Sequence, residues 1–295
     1  MRLAGRTVIV TGASSGIGRE AAREFARRRA HVVLASRNRE PLEALADELT
    51  DYPGHRLVVP TDVTDRLAVE ALVRRTVEEF DSVDVLVNNA GVGLFAPIAG
   101  GSLDNMHHVF NVNFWGPVHC IQATLPYMRR QRRGHIVNVS SIAGKVAAPY
   151  LGMYSATKFA LRAVSDALRS ELAGTGINVS TIYPGLTDTS IQENMMREVD
   201  VPGPPAFLRS ARASAVARRI AQAVRWNLRD AYVTLEDLAA VAAHPLAPGL
   251  ADWALRLFWL GPGRDVSSQE MPSIAIDEAG EPSAADAPEP PSQSG

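Results

Sequence analysis

Short apolar and β-branched runs recur along the chain, each separated from the next by a stretch long enough for one helix. They are TVIV (7–10), HVVLAS (31–36), RLVVP (56–60), VDVLVNN (83–89), HIVNVS (135–140) and INVSTIYP (177–184). Between them, SGIGREAAREFARRRA and DRLAVEALVRRTVEEF space their apolar residues three and four apart and put charges on the other side, as helices packed on a sheet do. A further helical stretch, SAVARRIAQAVRW, precedes a seventh run, DAYVTL (230–235). Strand and helix alternating in this way predict an α/β architecture: a doubly wound, mostly parallel seven-stranded sheet with helices on both faces.

That pattern occupies residues 1–235 and predicts a single domain. Residues 236–262 continue as a helical arm, in which LADWALRLFWL places Leu250, Trp253, Ala254, Leu257, Phe258 and Leu260 largely on one side, with Asp252 and Arg256 elsewhere. Such a face covers a core, joins a second subunit or lies on a membrane, and the arm's poverty in Lys and Arg disfavours the membrane. From 263 to 295 the composition turns to Ser, Pro, Ala and acid with almost no aromatics, which predicts a disordered acidic tail.

Of 295 residues 46% are hydrophobic, enough for a substantial core, and 30 basic against 32 acidic side chains leave a formal charge of -2. No global positive field is therefore available to attract nucleic acid or anionic lipid. Cys120, the chain's one cysteine, has no partner for an internal disulfide, which points to a reducing, cytoplasmic setting. The apolar run in MRLAGRTVIVTG is too short for a secretion signal. LAAVAAHPLAPGLA (238–251) is broken by prolines and a histidine and falls short of the ~20 apolar residues that span a bilayer.

VTGASSGIG (10–18) lies between the first strand and the first helix. Gly12, Gly16 and Gly18 permit a tight turn and close backbone approach, so the helix N-terminus can hold a pyrophosphate on its N–H groups. The G-x-x-x-G-x-G spacing differs from the commoner G-x-G-x-x-G. In YSATK (154–158), Tyr154 and Lys158 stand four apart and share a helical face. A free tyrosine ionises near pH ~10, and Lys158 together with a positively charged nicotinamide would lower that value. Tyr154 would then act as acid in carbonyl reduction and as base in alcohol oxidation. Ser141 ends HIVNVSS, at the carboxyl end of its strand, where ligands gather in open parallel sheets, and its hydroxyl can polarise a carbonyl. Ser140 points the opposite way if the strand continues.

Together with NNAG (88–91), these elements make the chain resemble the short-chain dehydrogenase/reductase family, in consecutive order from about Arg2 to Leu235. The resemblance implies a Rossmann-type fold. The arm resembles the longer C-terminal arms of hydroxysteroid-type and membrane-associated members rather than the short glycine-rich ending of tetrameric ketoacyl reductases. Family spacing selects Ser141 over Ser140 and makes Ser141, Tyr154 and Lys158 the reacting set. Asn113, in NVNFWG, is implied to anchor a water that links Lys158 to solvent, with Asn111 as the neighbouring competitor. For the cofactor, the resemblance implies Gly12, Ser14, Ser15, Gly16, Ile17 and Gly18 at the pyrophosphate, and Asp62 and Val63 at the adenine. It implies Asn89, Ala90 and Gly91 beside the dinucleotide, following Asn88, which braces the sheet. Tyr154 and Lys158 would reach the ribose, and Pro184, Gly185, Thr187 or Thr189 the nicotinamide and pyrophosphate. Asp62 taken alone reads as a helix cap, a role open equally to Asp65.

Cofactor choice turns on the end of the second strand. Where NAD-using relatives carry a ribose-binding acid this chain has Ser36, followed by Arg37. Arg37 can pair with a 2′-phosphate, with Ser36 or Asn38 adding a neutral donor, so NADP is expected. The expected function is an NADP-dependent oxidoreductase acting on a carbonyl or secondary alcohol, as a homodimer or homotetramer and without a metal. Met195, Met196 and Phe207 lie in the stretch 190–211, which stands in the place of the family's substrate lid, and point to a hydrophobic substrate. The alternatives are a nucleotide-binding epimerase or dehydratase, and a redox-sensing or scaffold protein without turnover.

Overall fold

The computed structural model describes residues 1–188, 195–199 and 210–260, and for 258–260 the backbone alone. Thr189, Phe207, the expected tail from 263 to 295 and the side chains of Phe258 and Leu260 lie outside the described residues.

Seven strands form one parallel sheet: β1 (Thr7–Thr11), β2 (His31–Ser36), β3 (Arg56–Pro60), β4 (Val85–Asn88), β5 (Gly134–Val139), β6 (Ile177–Tyr183) and β7 (Asp230–Tyr232). Their order is β3-β2-β1-β4-β5-β6-β7. Growth reverses between β1 and β4, where Val10 is flanked by Leu34 on one side and Val87 on the other. Such a reversal opens a crevice at the carboxyl ends of the strands.

Alternation along each strand divides the core into two layers. Val8 and Val10 pack beneath α1 (Gly16–Arg27), α2 (Arg39–Glu48) and a later helix (Ala213–Trp226), whereas Ile9 packs against α3 (Arg66–Phe80), a central helix (Gly116–Gln131) and the helix Gly152–Glu171. Each buried Val or Leu contributes about 1.5–3 kcal/mol relative to exposure. Cys120 is one of these core residues, and burial pushes its thiol up to about 12, so it is inert. Asp65 caps α3 by accepting from Leu67 N and Ala68 N, which leaves Asp62 for other work. Asn88 ties β4 to β5 through a 2.9 Å bond to Asn138 Oδ1.

In chain order the remaining helices are α4 (Leu103–Phe110), α5 (Gly116–Gln131), α6 (Gly152–Glu171), α7 (Ala213–Trp226), α8 (Leu235–Ala243) and α9 (Pro248–Leu260). A π-helical turn, Asn111–Trp115, joins α4 to α5.

Two expectations are corrected. The seventh strand ends at Tyr232 rather than running through Leu235. Thr234 accepts from Asp237 N and Asp237 accepts from Thr234 N, a reciprocal cap that starts α8 at Leu235. Nor does the face of the arm that includes Trp253 cover the core: Trp253 is 59% exposed, and Leu250 and Ala254 of the same face, with Ala251 and Leu255, border the crevice instead. Among the described residues no helix is long and apolar enough to cross a membrane.

Candidate active site

The crevice is a cavity of about 1540 Å³ at the carboxyl ends of the strands. At its floor lies the glycine-rich turn. Gly12 has φ +66, which favours glycine, and a Cβ there would come within 2.9 Å of Ala90 Cα. A Cβ on Gly18 would run into the Gly12 carbonyl, so Gly18 packs the turn rather than lining the cavity. Ser14, Ser15, Gly16 and Ile17 line it, at the start of a helix whose first turn carries no carboxylate. A helix N-terminus so placed suits an anionic group, and the cradle fits a pyrophosphate.

Thr11, which sequence reasoning passed over, holds this turn to NNAG. Its hydroxyl accepts from Asn89 N (3.0 Å) and Ala90 N (3.1 Å), while Asn89 Nδ2 donates to Thr11 O (3.0 Å). The signal was available in the Thr that precedes Gly12, directly opposite the expected Asn89–Gly91 segment. Asn89, Ala90 and Gly91 all line the cavity.

The far end is lined by Ser36, Arg37, Asn38, Asp62 and Val63. Burial works against the Asp62 charge, yet bonds from Thr64 N (2.9 Å) and Thr64 Oγ1 (2.8 Å), with Arg37 nearby, hold its pKa below the usual value. Arg37 is exposed at the rim.

The residues expected to react meet at the other end. Ser141 follows β5 and accepts from Ala143 N at 3.1 Å. Ser140, just past the end of β5, is buried at the cavity wall with its hydroxyl committed to Lys158 O, to which it donates at 3.1 Å. Tyr154 and Lys158 lie one turn apart on α6, with Lys158 Nζ 5.7 Å from the Tyr154 ring centre and donating to Val139 O at 3.2 Å. Burial brings the Lys158 ammonium down to about 8. The expected lowering of Tyr154 is not found among the protein's own groups: burial raises its pKa, and the facing Ser141 hydroxyl offsets only part of the rise.

Asn113 is fully buried in the π turn, whereas Asn111 is exposed. The Asn113 amide clasps Val92 at both ends, accepting from its N and donating to its O, each at 2.9 Å, and also donates to Thr157 Oγ1 at 3.2 Å. Both of its N–H groups are thus committed to bracing, which a water-anchoring role alone does not predict. Pro184, Gly185 and Thr187 line the cavity below β6, and Thr187 Oγ1 donates to Gly185 O at 3.0 Å. Met195 and Met196 face the same space, as do Glu236, Asp237 and His244 of the arm, none of which was singled out from the sequence. The Thr-x-x-Asp cap was the readable signal for Asp237.

A family model described as short chain dehydrogenase matches residues 6–200. The chain belongs to that family. As a short-chain dehydrogenase it is an oxidoreductase, and its relatives bear the same stamp. It is 42% identical over 189 residues to a protein named glycine betaine reductase ATRR from Emericella nidulans, a match covering 64% of this chain but 15% of that much longer one. It is 36% identical over 188 residues to an uncharacterized oxidoreductase of Staphylococcus epidermidis, covering 64% of this chain and 80% of the relative. Among solved structures, a short-chain dehydrogenase/reductase from Burkholderia phymatum in complex with NAD superposes with a TM-score of 0.76 at 27% identity, covering 85% of this chain and 96% of that one. An alcohol dehydrogenase from Thermococcus sibiricus complexed with 5-hydroxy-NADP gives 0.69 at 27% identity, covering 77% and 94%.

Proposed function

We propose that the protein is an NADP(H)-dependent oxidoreductase that interconverts a carbonyl and a secondary alcohol of a hydrophobic substrate, with Tyr154 as the proton-transferring group. The supporting observation is the convergence of Ser141, Tyr154 and Lys158 at one end of a single cavity whose other end carries the glycine-rich turn and Arg37. Bound nicotinamide supplies or accepts the hydride. In the reducing direction Tyr154 gives its proton to the carbonyl oxygen while the Ser141 hydroxyl donates a hydrogen bond to the same oxygen. Lys158, charged at neutral pH and held by Val139, favours the phenolate that remains and would bind ribose hydroxyls. Asn113 keeps α6 and the Val92 loop in register around that ammonium.

The two structural neighbours carry NAD and an NADP analogue respectively, so preference rests on this chain's own residues. No acid stands at Ser36, and Arg37 is the cation at the rim. A charge-assisted bond worth ~1.5–3 kcal/mol corresponds to roughly tenfold to hundredfold preference for NADPH over NADH. Exposed Leu103, Trp115 and Phe159, on α4, the π turn and α6, support assembly as a homodimer or homotetramer. The deciding experiment compares kcat/KM for both cofactors over a panel of carbonyls, in the wild type and in Ser36→Asp with Arg37→Ala. Reversal in the double variant supports the assignment. Equal or better use of NADH by the wild type refutes NADP, and consumption of neither cofactor refutes the enzyme reading.

A further inference from the structure

Beyond the reacting residues the cavity continues beneath the arm. Ala240, Ala243 and Ala247, then Ala251, Ala254 and Leu255, line it from α8, the connecting turn and α9. The alanines fall three and four residues apart and present single methyls, so that space remains in front of them, and Val241, His244 and Leu250 line the same wall. Phe95 and Leu151, both buried, stand in the same cavity beside Tyr154. On α9 the lining residues run from Leu250 to Leu255, which adds roughly 8 Å to the wall begun by α8. At about 1540 Å³ the cavity exceeds the ~300–1,000 Å³ that serves one drug-sized ligand, so a dinucleotide leaves room for a second large one.

Charge narrows the class of that ligand. Arg256, the only Lys or Arg of residues 236–257, is exposed and takes no part in the wall, whereas Glu236 and Asp237 line it. A carboxylate or phosphate on the ligand would be repelled there, and a neutral one is not. Arg197, which stacks over Phe95, is a cation lining the cavity from outside the arm, whereas the arm's own wall carries no Lys or Arg and is mostly apolar, which suits an extended alkyl chain.

We propose that the alanine stripe of the arm is the binding site for the substrate's tail, and that the enzyme takes neutral long-chain aliphatic carbonyls or alcohols. The inference rests on the oxidoreductase reading above and names its substrate class. In the series butanal, octanal, dodecanal, kcat/KM with NADPH rises about fourfold for each methylene that enters the channel, the equivalent of ~0.8 kcal/mol. A flat series, or preference for a compact bicyclic ketone over dodecanal, overturns it. Ala251→Trp fills the stripe and lowers the dodecanal-to-butanal ratio by about tenfold or more. Trp253→Ser, on the exposed side of the same helix, leaves that ratio in place, and equal falls in both variants count against a channel. Nile red, a neutral apolar dye, gives a readout without turnover: dodecanol displaces it and butanol does not. If dodecanol displaces the dye while no aldehyde consumes either cofactor, the channel stands and the oxidoreductase reading falls. If aldehydes are reduced and dodecanol fails to displace the dye, the channel falls alone.

Discussion

Asp237, on the first turn of the arm, lies against Gly185, on the turn that follows β6, so closely that a Cβ at position 185 would collide with its carboxylate. Burial pushes the Asp237 carboxyl up, opposed by bonds from Thr234 and the Gly185 N–H. One side chain therefore caps α8 and docks the arm on the floor of the reacting end, which couples the arm's position to the shape of the cavity.

Gly185→Ala should be destabilising for that reason. Overpacking a close contact costs typically 1–3 kcal/mol, and for a domain of this size a fall in Tm of roughly 3–10 °C follows. Adding Asp237→Ala removes the obstacle, so the double variant should recover part of the loss. Additive effects in that cycle would show that the two residues do not meet.

Tyr154→Phe keeps the ring and removes the proton. Carbonyl reduction should fall by about 10²–10⁴ with cofactor affinity preserved, since the general acid alone has gone. Ser141→Ala should lower kcat by about 10²–10³ through loss of a donor to the developing oxyanion. Retention of near-normal turnover by Tyr154→Phe would assign the proton transfer to another group. Binding is checked by fluorescence titration with NADPH, turnover by absorbance.

Much of this arrangement is legible in the sequence because it is local. The existence and order of the strands follow from apolar runs, and the place of Ser141 at the carboxyl end of its strand follows with them. The pairing of Tyr154 with Lys158 needs only helical periodicity. What escaped depends on contacts distant along the chain or on depth. The bonds of Asn113 to Val92 span 21 residues and require the π turn. The raised pKa of Tyr154 is a consequence of burial, which no spacing reveals. In the arm, the face read from periodicity divides: Leu250 and Ala254 border the cavity, whereas Trp253 is exposed.

Asn113→Ala tests bracing directly. It leaves the N–H and C=O of Val92 without their partners, and an unsatisfied buried group costs about 1–3 kcal/mol. Stability and kcat should fall together, while Asn111→Ala, at an exposed position, should change neither. A variant at 113 with unaltered Tm and lowered kcat would instead favour a role in proton relay.

Stability should rise with pH in two separate windows. His135, buried on β5 with Nε2 2.8 Å from Ser180 Oγ, has its pKa brought down by burial from 6.5 to about 3. Between those values the unfolded chain binds a proton that the native state refuses, so stability is lost as pH falls through 6.5. From pH 7 to pH 5 the loss is on the order of 2 kcal/mol, at ~1.4 kcal/mol per unit. Lys158 behaves likewise at the alkaline end: with its pKa lowered from 10.5 to about 8, the cost of burying its charge is fully present below pH 8 and is relieved as pH rises toward 10.5. Urea unfolding at pH 5, 7, 8.5 and 10 reads both windows. His135→Gln should flatten the acidic slope without touching the alkaline one, and Lys158→Met should do the reverse. An acidic slope unchanged in His135→Gln would mean that the imidazole is protonated in the folded protein and that its burial costs the native state nothing.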